Sequence, residues 1–115
     1  MKTVASMDGN REARCTEQLA RFFPELQAVE LRAMLAPLSA SAGRLREAVL
    51  IEFAGAGRVI FRSNLPLEFN DRVRLEQTGG QGNAAGTVVA LQYHDGQKAV
   101  AVQLAEGAGT WVKKL

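Results

Sequence analysis

The chain has 115 residues, the size of one ordinary domain. Its composition is 47% hydrophobic and 23% charged, with 11 glycines and 3 prolines, which excludes a disordered, collagen-like or coiled-coil protein. The 14 basic and 12 acidic residues leave a formal net charge of +2, too small an excess for a protein held to nucleic acid mainly by phosphate contacts.

The N-terminal segment predicts a helix. Asn10 is a suitable N-cap residue, and the sequence after it, REARCTEQLARFF, sets Leu19 and two phenylalanines among charged residues. Acidic residues come early in this stretch and Arg21 comes late, as the helix dipole favours. We expect a helix over about 10–22, ended by Pro24, within an N-terminal extension that covers 1–23.

The next stretch, PELQAVELRAMLAPL, fits two structures. Pro24 is suited to the first position of a second helix. An alternation of apolar residues along one side instead favours a strand: Val29, Leu31, Ala33 and Leu35. The residue pattern alone leaves both structures open.

From Ser39 onward the sequence predicts short strands joined by Gly- and Asn/Asp-containing turns. The strands are AVLIEF (48–53), RVIFRS (58–63), RVRLEQ (72–77), TVVALQY (87–93), KAVAVQLA (98–105) and a last short one in TWVKKL (110–115). TGGQGNAAG (78–86) is expected to be a loop, and His94-Asp95-Gly96 a hairpin turn. Because no βαβ rhythm is present, these strands describe a small antiparallel barrel or sandwich. The fold class is mainly β with an N-terminal helical extension.

The inventory of reactive residues is short. Cys15 is the only cysteine, which excludes an internal disulfide and Cys-rich zinc sites, and His94 is the only histidine. His94 and Asp95 are neighbours in the turn and are expected to point apart. We therefore expect no enzyme, no metal site and no cofactor. No apolar run is long enough for a membrane span or a signal peptide, so we expect neither. The expected location is therefore the cytoplasm.

Two further features have a structural and a functional interpretation. The glycine-rich segment 79–86 does not fit a phosphate-binding loop, because Gly86 leads into a predicted strand and no Lys follows it. Trp111 is the only tryptophan, and we expect it in the core rather than exposed as a stacking platform.

Two predicted strands carry arginines on one face. Each contributes two, at spacings that keep both side chains on the same side of the strand: Arg58 and Arg62 in one, Arg72 and Arg74 in the other. If the strands pair as a hairpin, the four guanidinium groups form one patch suited to an acidic partner or a phosphate. The alternative is a solvated face that Glu68 and Glu76 neutralise.

The β region resembles a PilZ domain over about residues 28–112. The matching features are the Gly turn (Gly55, Gly57), the strand with Phe61 and Ser63, the phrase formed by Pro66, Leu67, Asp71, Val73 and Leu75, the strand start Gly86-Thr87-Val88-Val89, and the closing strand Val100-Ala101-Val102-Gln103-Leu104. The resemblance implies a six-stranded antiparallel barrel over 24–115, in which 29–38 is a strand. Many PilZ domains bind cyclic di-GMP, so this ligand is implied for the family.

The resemblance also shows where the chain departs from the family's two ligand motifs. At the Asp/Asn-x-Ser-x-x-Gly motif it has Glu52, Ala54 and Gly57, so the ligand-binding hydroxyl is missing. Before the first strand, Arg32 stands where the second arginine of Arg-x-x-x-Arg is expected, but Ala28 replaces the first. A literal Arg-x-x-x-Arg at 58–62 follows the Gly turn and leaves too little chain for the rest of a barrel.

These residues favour a non-enzymatic regulatory or protein-interaction module of PilZ type that does not bind cyclic di-GMP in the usual mode. The expected partner is a protein, bound at the arginine patch or the N-terminal helix. The helix, with Leu19, Phe22 and Phe23, is expected either to pack on the barrel or to mediate self-association. One alternative is a cyclic di-GMP receptor that uses Arg32, Arg44 or Arg46. The other is a small barrel for single-stranded nucleic acid, which the scarcity of aromatic residues disfavours.

Overall fold

The fold is taken from a computed structural model that describes residues 15–38, 45–55, 57–78 and 83–105. One helix precedes six strands: α1 (Cys15–Ala20), β1 (Gln27–Pro37), β2 (Glu47–Gly55), β3 (Arg58–Arg62), β4 (Arg72–Gln77), β5 (Asn83–His94) and β6 (Gln97–Leu104). The strands form a closed barrel in the order β1-β2-β3-β6-β5-β4, and every neighbouring pair is antiparallel. The predicted fold class, a small six-stranded antiparallel barrel with an N-terminal helix, is confirmed.

Residues 27–37 form a strand, which decides between the two structures that the sequence left open. The four alternating apolar residues all belong to or pack against the cluster that fills the barrel: Val29, Leu31, Ala33 and Leu35. A register shift between Ala28 and Leu31 in the pairing with β2 marks a bulge near the start of the strand.

The interior of the barrel is filled by side chains from all six strands. Its largest fully buried members include Phe61, Leu35, Ile51, Leu75 and Val88. The connection between β3 and β4 adds Leu67, which is 2% exposed, and Leu65 packs against the same cluster. This connection therefore closes an end of the barrel.

Helix α1 lies outside the barrel, against the outer walls of β2, β3, β5 and β6. Cys15 and Leu19 form a second apolar cluster with Ile60, Ala99 and Ala101 of the barrel wall. The alternation of 58–63 predicts Ile60 on the arginine side of its strand, and Ile60 is nevertheless fully buried because the helix covers it.

Two bulges shape the wall beneath the helix. Register shifts occur between Ile51 and Phe53 in β2 and between Val88 and Ala90 in β5. In each case the flanking apolar residues pack inside the barrel while Phe53, or Val89 with Ala90, packs against the helix cluster. The bulges thus supply the extra outward-facing apolar surface on which α1 rests.

The helix is shorter at its C-terminal end than expected. It ends at Ala20 rather than continuing to 22, and the backbone amides of Arg21, Phe22 and Phe23 then donate to carbonyls three residues earlier. Such bonds form a tighter final turn that precedes Pro24. The part of the predicted helix before Cys15 lies outside the described residues.

The turn predicted at His94-Asp95-Gly96 is confirmed. Asp95 and Gly96 have φ angles of 53° and 74°, which make a two-residue type I′ hairpin. The loop predicted over 78–86 is wrong for its last part, because β5 already begins at Asn83. The rest of that segment from Gly79, and the strand and Trp111 predicted in 110–115, lie outside the described residues.

None of the helices in the described part of the chain has the length and apolar character needed to span a membrane.

Candidate functional site

The arginines of β3 are held by acidic partners on the helix side of the barrel. Arg58 Nη1 donates to Glu25 Oε2 at 2.7 Å, and its guanidinium carbon lies 5.4 Å from the centre of the Phe23 ring. Arg62 Nε donates to Glu52 Oε2 at 3.0 Å. The partners are therefore not the expected Glu68 and Glu76.

The hairpin between 58–62 and 72–77, on which a single patch of four arginines depended, does not form. Strand β3 pairs with β2 and β6, whereas β4 pairs with β1 and β5. The reason is that the chain between them, including Leu67, packs into the barrel end instead of turning back on β3. Arg72 and Arg74 consequently do not form one patch with Arg58 and Arg62.

Arg72 and Arg74 lie instead with two arginines that the sequence assigned to a ligand site. Arg74 pairs with Ala36 of β1, and the backbone carbonyl of Arg72 accepts from Leu38 N at 2.8 Å. Arg32 lies on β1, and Arg46 directly precedes Glu47, which pairs with Leu35. We call this surface, made by Arg32, Arg46, Arg72 and Arg74 with Met34 and Leu38, the arginine face.

The arginine face is exposed and partly apolar. All four arginines are exposed, and none forms an ion pair with another described residue. Met34 and Leu38 are 39% and 42% exposed, and Glu76, opposite Met34, is an acidic residue on the same outer wall. Met34 stands at an outward position of β1, and Leu38 follows the end of that strand in the same alternation, which is the sequence signal that could have revealed them.

The residues that align with the second ligand motif are not gathered into a pocket. Glu52 is 6% exposed and accepts from Thr16 Oγ1 at 2.9 Å as well as from Arg62, while Ala54 belongs to the barrel interior. The Gly57 carbonyl accepts from Leu104 N at 2.7 Å.

Of the arginines of the alternative receptor, Arg32 pairs with Leu50, two residues before Glu52 in β2, whereas Arg46 is distant from Gly57. Arg46 precedes β2 and Gly57 follows it, and a strand of 9 residues separates the two by about 30 Å. Arg44 lies outside the described residues.

A polar cleft of about 270 Å³ lies where β2, β3 and β6 meet, and no motif in the sequence predicted it. Glu47 accepts there from Ser63 Oγ at 2.6 Å and from Asn64 N at 2.8 Å. Lys98 Nζ donates to the Leu65 carbonyl. Burial lowers the pKa of Lys98, against the opposing effect of nearby carboxylates, so its amine holds a proton less tightly than an exposed lysine does.

Two hollows flank α1 on the outer wall of β2. The larger, about 640 Å³, is lined by Glu17, Ala20, Arg21, Phe23, Pro24, Leu26 and Phe53. The smaller, about 410 Å³, shares Glu17 and Phe53 and is completed by Ala28, Val29, Glu30, Leu50 and Glu52. Phe22 stands in the sequence between Arg21 and Phe23, which line the larger hollow, and its side chain is 73% exposed.

The reactive groups do not assemble into a metal centre within the described residues, where no group of three or more His, Cys, Asp or Glu side chains is suitably placed. His94 Nε2 lies 3.6 Å from Asp95 Oδ2, so the expectation that the two point apart is wrong. The left-handed backbone at Asp95 allows this approach, and the Asp95 side chain is 88% exposed. Neither the protein-family models nor the curated proteins give a match to this chain.

Proposed function

We propose that the chain is a non-enzymatic, PilZ-like interaction module of the cytoplasm that binds an acidic protein segment on the arginine face. The observation that carries this proposal is the convergence of four exposed arginines from β1, β4 and the start of β2 around two exposed apolar side chains. Arginine binds carboxylates in bidentate geometry and is enriched at protein interfaces, as is methionine.

The contrast with β3 supports this assignment. Arg58 and Arg62 already have carboxylate partners on the helix side. The arginine face lies on other strands, and its guanidinium groups have no ion-pair partner in the described part of the chain. A positive surface of this kind speeds the association of an acidic partner and selects it by charge.

The apolar content of the face favours a protein over a nucleic acid. Met34 and Leu38 provide side chains that a leucine or phenylalanine of a partner can cover. Proteins that bind single-stranded nucleic acid stack the bases on aromatic rings. The residues that define the arginine face are arginines, a methionine and a leucine, so it offers no such ring. A dinucleotide needs a concave site, and none of the three hollows described above is lined by these arginines.

The test is fluorescence anisotropy with a labelled peptide of alternating Glu and Leu, compared with a labelled oligo-dT of equal charge. Arg74→Glu is expected to weaken peptide binding about tenfold, because it replaces attraction by repulsion at the centre of the face. Arg58→Glu is the matched control: it makes the same change in net charge on β3, outside both the arginine face and α1, and should leave binding within about twofold.

Three results would overturn the proposal. One is equal weakening by both variants, which would indicate a response to net charge alone. Another is tighter binding of oligo-dT than of the peptide, which would favour a nucleic-acid module. The third is calorimetric binding of cyclic di-GMP that Arg32→Ala or Arg46→Ala abolishes, which would favour the receptor alternative.

A further inference from the structure

Phe22 is the most exposed of the large apolar side chains in the described part of the chain, at 73%. Its neighbours Phe23 and Leu19 face the barrel, where both belong to or pack against the helix cluster. The tightened turn after Ala20 directs Phe22 away from that cluster, since its amide donates to the Leu19 carbonyl at 3.1 Å. The local backbone therefore presents one phenylalanine to solvent beside a packed phenylalanine and a packed leucine.

Phe22 stands in the sequence between two residues that line a hollow of mixed charged and apolar character. Arg21 and Phe23, which precede and follow Phe22, both line the hollow of about 640 Å³, together with Leu26 and Phe53. Surface hydrophobic residues that are scattered singly need no explanation, but an exposed phenylalanine beside a hollow partly lined by apolar side chains does.

The exposed Phe22 ring and the hollow could fit each other, but both are on the same copy of the chain. A ring cannot fill the hollow formed by its own immediate neighbours in the sequence, whereas the same ring on a second copy can. Two-fold symmetry makes the contact reciprocal: each copy inserts Phe22 into the hollow of the other.

The charges at the rim obey the same symmetry. Glu17 and Arg21 both line the hollow and stand four residues apart, one at the helix and one just beyond its end. A two-fold axis that passes between these two side chains would place the arginine of each copy opposite the glutamate of the other. The rim is thus self-complementary in charge, as an interface between identical copies requires.

We propose that the chain forms a homodimer in which Phe22 of each copy fills the hollow beside α1 of the other. This interface is independent of the arginine face, because it is built from α1, the following turn and β2, and that face lies on β1, β4 and the start of β2. A dimer carries two arginine faces and so binds a divalent acidic partner more tightly than a monomer does.

The test is sedimentation equilibrium of the full chain over a range of concentrations. Phe22→Ala removes two buried rings per dimer and is expected to weaken dimerisation about a hundredfold or more. Phe69→Ala is the matched control, since Phe69 is 64% exposed in the connection between β3 and β4, outside the proposed interface. The control should leave the dimerisation constant unchanged within about twofold.

Charge reversal provides a second readout that does not depend on the apolar contact. Arg21→Glu is expected to weaken the dimer, and the double variant Glu17→Arg/Arg21→Glu to restore it, because the swap re-creates the opposite-charge pairs across the axis. A monomeric wild-type chain at all concentrations would overturn the proposal. So would an unchanged dimer in Phe22→Ala, or failure of the swap to restore what the single reversal loses while the variants keep the wild-type circular dichroism spectrum.

Discussion

Glu52 is the buried carboxylate that ties helix α1 to the barrel, and its replacement by alanine is expected to destabilise the protein markedly. It is 6% exposed, and it accepts from Thr16 Oγ1 of the helix at 2.9 Å and from Arg62 Nε of β3 at 3.0 Å. The substitution removes both hydrogen bonds and leaves the fully buried Thr16 hydroxyl without this acceptor.

The magnitude follows from how deeply each partner is buried. A hydrogen bond to a charged group contributes about 1.5–3 kcal/mol, and an unsatisfied buried hydroxyl costs about 1–3 kcal/mol. The Arg62 side chain is 40% exposed, so water rehydrates it and its part of the loss falls at the low end. We expect Glu52→Ala to lower the free energy of unfolding by about 3 kcal/mol.

The Glu25–Arg58 pair supplies the comparison. Its side chains are 37% and 36% exposed, so Glu25→Ala removes a surface ion pair and should cost under about 1 kcal/mol. Both variants are measured by urea denaturation followed by circular dichroism. A double-mutant cycle with Thr16→Ala isolates the helix contact and should give a coupling energy of about 1 kcal/mol or more. Equal destabilisation by Glu52→Ala and Glu25→Ala, or a coupling near zero, would refute the reasoning.

Two further predictions concern close packing and a buried thiol. Gly86→Ala would place its Cβ 2.5 Å from Val102 Cγ1 and 2.7 Å from the Gln103 carbonyl, so we expect it to lower the free energy of unfolding by about 2 kcal/mol, measured by urea denaturation. The comparison is Gly96→Ala, which meets no atom within 4 Å but is strained at a φ of +74°, by about 1 kcal/mol; equal stability of Gly86→Ala and wild type would contradict the close contact. Burial raises the pKa of the Cys15 thiol, so the unfolded chain loses this proton first as the pH rises, and stability should fall above the ordinary thiol pKa. Thermal unfolding against pH checks this, and Cys15→Ser, which no longer titrates there, should lose that part of the pH dependence.

The strands could be predicted because their evidence is local. An alternation of apolar and polar residues fixes both the strand and the face it buries, as Val73 and Leu75 show: they are fully buried while Arg72 and Arg74 are exposed. The Asp95-Gly96 pair likewise sets the geometry of its own turn, because both residues tolerate a positive φ.

The neighbours of each strand could not be predicted in the same way. Consecutive strands usually pair, and for this reason a hairpin of 58–62 with 72–77 was the condition for a single arginine patch. Strands β3 and β4 do not pair, because Leu67 in their connection packs into the barrel interior. The sequence pattern around a leucine does not show whether it packs into a barrel or lies in a hairpin loop. The burial of Ile60 was missed for a related reason, since its cover comes from a helix distant in sequence.

The observed strand order divides the arginines into a pair that contacts glutamates and a group that lies on another surface. This division explains how a chain of small net charge can have a positive surface. Arg58 and Arg62 lie where α1 and its turn approach the barrel, and each is paired there with a glutamate. Of the five other arginines in the described part of the chain, four lie where β1 adjoins β4 and the start of β2. A chain with a formal charge of only +2 can thus present a locally positive face, because its acidic residues are partly committed elsewhere. This predicts that peptide binding at the arginine face will weaken steeply with added salt, whereas the helix–barrel contact, which rests on buried apolar side chains and the buried Glu52, will not.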